Sequence, residues 1–314
     1  MIRAMLSFPP GEAVPDELIS GLSALEGIEL TVARDPGQAL GGIAGIEVLF
    51  TLFADRRLIE AARSLRWIQA LISGTDRIAL TQEDRRRIVL TSAHGLHGDA
   101  VSEAALSLML ALARDIPRAL RSQGERLWRP WNATLLAGRT LVIVGVGAIS
   151  EALALKCKAL GMRVEGISRT VRAVSGFERI RPRDELRQAA ASADFLVLLA
   201  SADPGTERLI DADVIAAMKS SAFLINVARG SLVDDDALIE ALRGGRLAGA
   251  ALDSVTGEPL APEHRYWDVP RVLITPHMAG RHEGYWRSLV PLIRSNWNHY
   301  VRGEPGAMRN LVTK

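Results

Sequence analysis

Short apolar stretches of strand length alternate along the chain with longer stretches whose apolar residues recur at helical spacing. This alternation is typical of an α/β protein built on parallel sheets. In the first third it predicts, in chain order, strand 47–51, helix 57–65, strand 67–71, a helical turn at 82–87 and strand 88–91. A long helix is predicted at 99–121, with Gly98-Asp99 as its cap and a kink near its end at Pro117.

A second α/β series follows a loose stretch at 124–138. Its predicted elements are strand 140–145, helix 148–160, strands 162–167, 194–199 and 222–227, helix 234–243, strands 248–252 and 271–274, and a closing helix at 286–302. Two such series indicate an α/β protein with two Rossmann-like parallel-sheet domains and an interdomain cleft, where ligands usually bind.

Composition and charge exclude several classes of protein. Hydrophobic residues make up 48% of the chain and charged residues 24%, which is typical of a packed protein without a membrane span or a secretory signal. The single cysteine, Cys157, excludes an intrachain disulfide; we expect a buried thiol and a cytoplasmic location. The run Arg85-Arg86-Arg87 lacks interleaved aromatic residues, so we interpret it as a solvated turn and expect no nucleic-acid partner.

A dinucleotide-binding turn is predicted at 140–150, where an apolar strand runs into Gly145-x-Gly147 and then a helix. Gly145 allows the tight turn, and Gly147 lets the backbone approach a pyrophosphate held at the helix N-terminus. Ser150 occupies the third position of the fingerprint, where a small residue allows the helix to pack on the strand. The alternative is a glycine-bearing turn of an ordinary α/β fold.

The end of the second strand of this series indicates which dinucleotide is bound. An Asp or Glu there would accept hydrogen bonds from a ribose 2′-hydroxyl, but the chain has Ser168, Arg169 and Thr170. Because a guanidinium pairs with a phosphate dianion, we predict NADP(H) in preference to NAD(H), with Arg172 as a second contact. The alternative is that Arg169 covers the adenine face of NAD(H).

Three charged side chains follow apolar strands, at the sheet edge where α/β enzymes usually have their active sites. They are Arg229 after strand 222–227, Glu258 in the loop beyond Asp253, and His277 after strand 271–274. Taken singly, a salt-bridged arginine, a surface glutamate and a capping histidine would explain them equally well. Their shared position after strands favours one common site.

Several motifs together resemble the D-isomer-specific 2-hydroxyacid dehydrogenase family, in particular its glyoxylate and hydroxypyruvate reductases, over nearly the whole chain. The motifs are Ser73-Gly74-Thr75-Asp76, Asp99-Ala100-Val101-Ser102-Glu103, Gly145-x-Gly147, Asn226-Val227-Ala228-Arg229-Gly230, Ala251-Leu252-Asp253, Gly257-Glu258-Pro259 and Thr275-Pro276-His277-Met278-Ala279-Gly280. The resemblance implies an NAD(P)-dependent oxidoreductase that acts on CH–OH donors, with Arg229, Glu258 and His277 as its catalytic residues.

The implied roles agree with the chemistry of reducing a 2-keto acid. Arg229 can bind the substrate carboxylate or carbonyl through a charge-assisted contact. His277 can protonate the new alkoxide, because a histidine exchanges protons near neutral pH, and can act as the base in the reverse direction. Glu258, a carboxylate near the imidazole, favours the protonated ring and holds its orientation.

Further contacts are implied only by the resemblance. The substrate would also meet the backbone N–H groups of Ser73 and Gly74. Asp253 would bind the nicotinamide carboxamide, with a turn-capping aspartate as the alternative; the segment Leu199-Ala200-Ser201 departs from the family's His-x-Pro. The implied cofactor contacts are Gly145, Gly147, Ala148, Ile149, Ser168, Arg169, Ala200, Ser201, Thr206, Val227, Ala228, Arg229, Asp253, His277, Ala279 and Gly280.

The resemblance also implies a domain plan. A discontinuous substrate-binding domain would comprise 1–97 and 283–314, and 98–282 would bind the dinucleotide. A homodimer is expected through 99–138, where Trp128 or Trp131 would either reach the partner's active site or pack in the interface.

NADP(H)-dependent reduction of glyoxylate or hydroxypyruvate is the function we expect, on a small anionic 2-keto or 2-hydroxy acid. The alternatives are another 2-hydroxyacid dehydrogenase, such as one for phosphoglycerate, and a dinucleotide-sensing, corepressor-like binding protein on the same fold. We expect no extra regulatory domain or appended interaction tail, and no metal.

Overall fold

The computed structural model describes residues 1–9 and 11–312, which form two compact units. The first unit comprises Met1–Leu96 and the segment from His282 onward, and the second comprises His97–Arg281. Each predicted domain boundary therefore differs by one residue, since His97 lies in the second unit and His282 in the first. Residues 313 and 314, which belong to the predicted first domain, lie outside the described part of the chain. Among the described residues, no helix is long and apolar enough to cross a membrane.

The first unit is built on a parallel sheet whose strand order is β2-β1-β3-β4-β5. Chain order reverses between β1 and β3, as in doubly wound folds. Its elements are β1 (Ile2–Ser7), α1 (Asp16–Ser23), β2 (Ile28–Ala33), α2 (Pro36–Gly42), β3 (Val48–Thr51), α3 (Arg56–Ala61), β4 (Trp67–Ala70), α4 (Asp84–Arg87), β5 (Val89–Thr91) and, after the second unit, α11 (Tyr285–Val301).

The closing helix α11 covers one face of this sheet. Leu289, Ile293 and Trp297 lie on its buried side and pack in one core cluster with Phe50 and Trp67 of the sheet. This packing explains why a segment from the far end of the chain belongs to the first unit, because its apolar stripe would otherwise face water.

The second unit contains a longer parallel sheet, ordered β12-β11-β10-β9-β6-β7-β8. Chain order reverses between β6 and β9, which is where an open α/β sheet binds its ligands. Its elements are α5 (Gly98–Ala113), α6 (Ile116–Gly124), β6 (Thr140–Val144), α7 (Ala148–Ala159), β7 (Arg163–Ser168), β8 (Arg179–Pro182), α8 (Leu186–Ser192), β9 (Phe195–Leu198), α9 (Ala212–Ala217), β10 (Phe223–Asn226), α10 (Asp235–Arg243), β11 (Gly249–Leu252) and β12 (Val272–Ile274).

The predicted single helix at 99–121 is wrong, because the structure has two helices there. Helix α5 has His97 as its cap residue and ends at Ala113, and Asp115 adopts a left-handed backbone with φ of 52°. The Asp115 side chain accepts a hydrogen bond from the amide of Arg118 and so caps α6. Pro117 does not kink a continuous helix; it lies in the first turn of α6, where its missing N–H is not needed.

Most other predicted elements differ from the structure only at their ends, although the helix predicted at 57–65 is shorter and stops at Ala61. Three strands and four helices lay outside the prediction: β1, β2, β8, α1, α2, α8 and α9. Cys157 is buried on α7, as predicted, and burial raises the pKa of its thiol to about 12, which argues against a nucleophilic role.

Candidate active site

Several residues predicted for the site follow strands that end at the same level of the sheet in the second unit. Strand pairing aligns the last residues of five neighbouring strands, Val144, Leu198, Asn226, Leu252 and Ile274. Counting three residues onward along each strand reaches Gly147, Ser201, Arg229, Val255 and His277. The sheet register therefore brings the glycine turn, the arginine and the histidine to the same edge.

The glycine turn after β6 has two glycines that are needed for different reasons. Gly145 has φ of 100°, and a Cβ there would lie 2.5 Å from the amide nitrogen of Ala200, so close backbone packing excludes a side chain. A Cβ on Gly147 would meet no described atom within 4 Å, so the packing of the chain does not require this glycine. A group bound in front of the turn would require it, which fits a dinucleotide pyrophosphate.

The first turn of α7 completes this cradle. Ser150 is buried, and its hydroxyl accepts a hydrogen bond from the Gly147 amide and donates one to the Gly147 carbonyl, each at 2.7 Å. Ser150 thus fixes the helix start rather than only filling the third glycine position. Ala148 and Ile149 are the first two residues of the helix, where backbone N–H groups lack intrahelical acceptors and favour an anion.

At the end of β7, the side chain of Arg169 is 71% exposed and lies 3.5 Å from the carboxylate of Asp203. Ser168 pairs with Pro182 of β8, so Arg183 follows at the same sheet end, and its guanidinium donates to the carbonyl of Gly205 at 2.9 Å. Arg183, rather than the predicted Arg172, has a described contact with the turn that faces Arg169. Two guanidiniums therefore flank the 203–205 turn.

The loop after β9 contains three predicted cofactor contacts, Ala200, Ser201 and Thr206. Thr206 is buried; its hydroxyl accepts from the Asp203 amide at 2.7 Å and lies within hydrogen-bond distance of the Ser201 and Asp203 carbonyls. These bonds give Thr206 a defined role in holding the loop. Ala200 packs its backbone against Gly145, so the loop borders the glycine turn directly.

Arg229 follows β10 in a segment that Asn226 holds in place. The buried Asn226 amide donates to the carbonyls of Arg229 at 2.8 Å and Ser254 at 3.3 Å, and its oxygen accepts from the Ala228 amide at 3.1 Å. One Arg229 guanidinium nitrogen donates to the Ala228 carbonyl at 2.7 Å, while Val227 and Ala228 are buried. The arginine is thus half-buried on a rigid segment, which suits an anchor for an anion.

Glu258 and His277 form the central pair of the site. Oε2 of Glu258 lies 2.6 Å from Nδ1 of His277, and Oε1 accepts hydrogen bonds from the Ser254 hydroxyl at 2.7 Å and the Val255 amide at 3.2 Å. Burial of Glu258 opposes its ionisation, but the hydrogen bonds from His277 and Ser254 outweigh burial and lower the pKa of the carboxyl to about 2. An ionised carboxylate only accepts hydrogen bonds, so Nδ1 of His277 carries a proton.

The backbone of His277 is held by Asp253. His277 has φ of 50°, in the left-handed region, which costs a non-glycine residue free energy. The buried Asp253 carboxylate accepts from the Thr275 hydroxyl at 2.6 Å and from the amides of Met278 and Ala279, each at 2.9 Å. These contacts support the turn-capping alternative for Asp253 and bracket the histidine on both sides.

The remaining predicted residues lie near these elements or in the other unit. Ala279 is buried, and Gly280 packs so closely on the His97 ring that a Cβ would lie 2.7 Å from it. Ser73 and Gly74 are half-buried in the loop after β4 of the first unit, where the Ser73 hydroxyl donates to the Ala93 carbonyl at 3.2 Å. The approach of Ser73 and Gly74 to Arg229 stays a prediction.

Sequence reasoning missed four residues that shape the site: Ser254, Asn226 in its clamping role, Asp203 and Arg183. Asn226 stood in a quoted motif, but a buried clamp has no local sequence signal. Ser254 directly follows Asp253, yet its contact with Glu258 depends on how the intervening loop folds back. Arg183 follows β8, a strand that the pattern did not predict, so its proximity to Arg169 had no visible basis.

Comparisons with known proteins agree with this geometry. Residues 106–279 match the family model described as D-isomer specific 2-hydroxyacid dehydrogenase, NAD binding domain. Two curated relatives are each 31% identical: a glyoxylate reductase/hydroxypyruvate reductase of Mus musculus, over 86% of this chain and 85% of the relative, and a D-3-phosphoglycerate dehydrogenase of Methanocaldococcus jannaschii, over 79% of this chain and 48% of the relative.

Solved structures give the same result. A D-isomer specific 2-hydroxyacid dehydrogenase family protein of Aeromonas salmonicida superposes with a TM-score of 0.87 at 28% identity, over 100% of this chain and 99% of the other. An NADPH-dependent glyoxylate/hydroxypyruvate reductase of Sinorhizobium meliloti, solved with NADP and malonate, has a TM-score of 0.85 at 26% identity, over 99% and 97%. The resemblance inferred from the motifs is confirmed: the chain belongs to the D-isomer specific 2-hydroxyacid dehydrogenase family of oxidoreductases.

Proposed function

We propose that this enzyme reduces a small 2-keto acid, glyoxylate or hydroxypyruvate, to the 2-hydroxy acid with NADPH. The observation that carries the proposal is the Glu258–His277 pair, with its 2.6 Å contact, at the same sheet edge as Arg229 and the Gly145-x-Gly147 turn. This edge combines an anion anchor, a proton carrier and a dinucleotide cradle, which are the parts that reduction of a keto acid needs.

In the proposed mechanism, the nicotinamide supplies the hydride when bound. Arg229 holds the substrate carboxylate and draws electron density from the carbonyl through charge-assisted hydrogen bonds. His277 donates the proton on Nε2 to the forming alkoxide, because its Nδ1 proton is engaged by Glu258. In the reverse direction, neutral His277 accepts the hydroxyl proton at Nε2. The backbone N–H groups of Ser73 and Gly74 would complete the hold on the carboxylate.

Preference for NADP(H) is supported by the charges at the end of β7. Arg169 and Arg183 flank the site predicted for the adenosine ribose, and the side chain of Ser168 offers a hydroxyl beside them. Asp203 is the acidic group within reach of Arg169, so a 2′-phosphate would compete with this carboxylate for the guanidinium. The Sinorhizobium meliloti relative was solved with NADP, which supports the same preference. NAD(H) remains the alternative cofactor.

A homodimer through 99–138 is also part of the proposal. Large apolar side chains are exposed in and around α6, namely Leu110, Ile116, Leu120, Leu127, Trp128 and Leu135. Such a concentration of exposed apolar surface is typical of an interface. Trp131 instead folds back, since its indole N–H donates to the Arg114 carbonyl at 3.3 Å and Arg118 lies over its ring. We therefore assign Trp128, rather than Trp131, to the proposed interface.

Two other functions are separated by one kinetic survey. Phosphoglycerate oxidation has support from the Methanocaldococcus relative, of which this chain covers 48%. A dinucleotide-sensing binding protein would bind NADPH or NADH without turnover. The survey measures initial rates for glyoxylate, hydroxypyruvate, pyruvate and bulkier 2-keto acids with each cofactor, and for phosphoglycerate with each oxidised cofactor.

We expect the highest kcat/KM for glyoxylate or hydroxypyruvate with NADPH. A higher kcat/KM for phosphoglycerate would replace the proposed substrate, and NADH at least as efficient as NADPH would overturn the cofactor preference. Cofactor binding without any turnover would indicate the sensing protein.

A further inference from the structure

Glu258 is held from the side opposite to His277 by a serine. The Ser254 hydroxyl is buried and lies 2.7 Å from Oε1 of Glu258, and the Val255 amide adds a second donor to the same oxygen at 3.2 Å. The other carboxylate oxygen, Oε2, is the one that meets Nδ1 of His277. The two oxygens are therefore distinguished by their donors.

The backbone around Ser254 is also fixed, so the hydroxyl has a defined position. The backbone carbonyl of Ser254 accepts a hydrogen bond from the Asn226 side chain at 3.3 Å. The next residue, Val255, packs against Gly230 so closely that a Cβ on Gly230 would lie 2.0 Å from the Val255 carbonyl carbon. The segment thus runs tightly against the turn after Arg229. A side chain anchored in this way can orient a neighbour more strictly than one on an open loop.

Resting on the proposed function, we propose that Ser254 is a positioning residue for proton transfer: its hydroxyl turns the Glu258 carboxylate so that Oε2 faces Nδ1 of His277. With the Nδ1 proton held there, the proton exchanged with the substrate is the one on Nε2. Loss of the hydroxyl leaves the carboxylate with fewer donors on Oε1, so it can rotate and the neutral imidazole can place its proton on either nitrogen.

The charged groups after β10, β11 and β12 include Arg229, Asp253 and the Glu258–His277 pair itself. Asp253 accepts hydrogen bonds from the Thr275 hydroxyl before His277 and from the amides of Met278 and Ala279 after it, so it fixes the chain and not the ring tautomer. Ser254 donates to Oε1 of Glu258, the carboxylate oxygen that does not contact His277. It therefore acts on the ring through the carboxylate alone.

The test compares Ser254→Thr with Ser254→Val. Threonine and valine have nearly the same size and shape, so packing strain affects both variants equally. They differ because threonine keeps the hydroxyl and valine has a methyl group in its place. We expect Ser254→Thr to keep kcat within about twofold and Ser254→Val to lose about tenfold, the scale of one hydrogen bond to a charged group. Ser192→Ala is the control, because that hydroxyl donates to the Ala189 carbonyl of its own helix. If Ser254→Val does not fold, Ser254→Ala takes its place.

A spectroscopic readout separates positioning from a structural role. With 15N-labelled histidine in alkaline solution, the His277 signal, identified by its loss in His277→Gln, should show the proton on Nδ1 in wild type and Ser254→Thr. Ser254→Val should show a mixture of tautomers. Equal kcat and equal tautomer signals in the Thr and Val variants would overturn the proposal. Wild-type protein without keto-acid reduction, or with full turnover after His277→Gln, would instead overturn the proposed function.

Discussion

Both units of the molecule bury polar side chains against a parallel sheet, but the two networks differ in charge and in where they end. In the first unit, the network joins Trp67, Gln69, Thr91 and Asn296, all buried and uncharged. In the second unit, the network around Glu258 is ionised and ends at His277, whose side chain is 36% exposed.

The difference follows from what each network connects. Asn296 on α11 donates to Gln69 of β4 at 3.0 Å and accepts from the Arg309 amide at 2.7 Å, so it fastens the end of the chain to the sheet. Burying neutral amides for this purpose has a modest desolvation cost. Burying a carboxylate has a larger desolvation cost, so we expect a buried carboxylate where its charge serves a function. We infer that the network of the first unit stabilises the fold and that the network of the second unit takes part in proton transfer.

The largest expected effect is that of His277→Gln. Because general acid–base catalysis contributes about 10²- to 10⁴-fold, we expect kcat to fall at least about a hundredfold with little change in NADPH affinity or melting temperature. Steady-state kinetics and cofactor titration measure this. His299 provides the control, since its Nδ1 also contacts a glutamate, Glu304 at 3.1 Å, but at the surface of the first unit. Unchanged turnover in His277→Gln would refute the assignment.

The next effect separates stability from chemistry. Asn296→Leu removes a buried amide and strands the Arg309 amide, so we expect the free energy of unfolding to drop by about 2–3 kcal/mol. In conditions where the variant is folded, kcat should stay within about twofold of wild type. Chemical denaturation followed by tryptophan fluorescence measures the loss, with exposed Asn298→Leu on the same helix as control. Loss of kcat in the folded variant would contradict the division between the networks.

The smallest expected effect concerns cofactor choice. Arg183→Ala should raise the KM for NADPH by about tenfold and leave the KM for NADH within about twofold, because only the 2′-phosphate requires the second guanidinium. Arg187→Ala, an exposed arginine on α8, is the matched control. An equal rise in KM for NADPH and NADH would show that Arg183 does not bind the 2′-phosphate.

The sequence was most informative where an apolar strand runs directly into a polar residue. Gly145, Arg229 and His277 could be identified because each lies one to three residues beyond an apolar strand, and parallel pairing then brings such residues to one edge. Strands without a continuous apolar run were harder to predict. Strand β2 alternates half-buried and exposed positions over most of its length, and β8 has arginines as its first and third residues, so neither forms an apolar run.

Contacts between loops could not be predicted. The hydrogen bond from Ser254 to Glu258 and the Asp203 contact with Arg169 depend on backbone paths that the side-chain pattern does not encode. The break at Asp115 shows the same limit, since a capping aspartate in a left-handed conformation ended the helix before the proline could kink it.

The central claim is that ionised Glu258 maintains His277 as the proton donor. Because the pKa of Glu258 is lowered to about 2, this carboxylate is charged at every pH above about 4, so protonation of Glu258 should not affect the rate there. The most direct test is kcat for keto-acid reduction against pH in wild type and Glu258→Gln. Because the carboxylate orients the imidazole and holds its Nδ1 proton, we predict that kcat is at least about tenfold lower in Glu258→Gln at every pH above about 4, the scale of one hydrogen bond to a charged group. A kcat in Glu258→Gln equal to that of wild type would contradict the account.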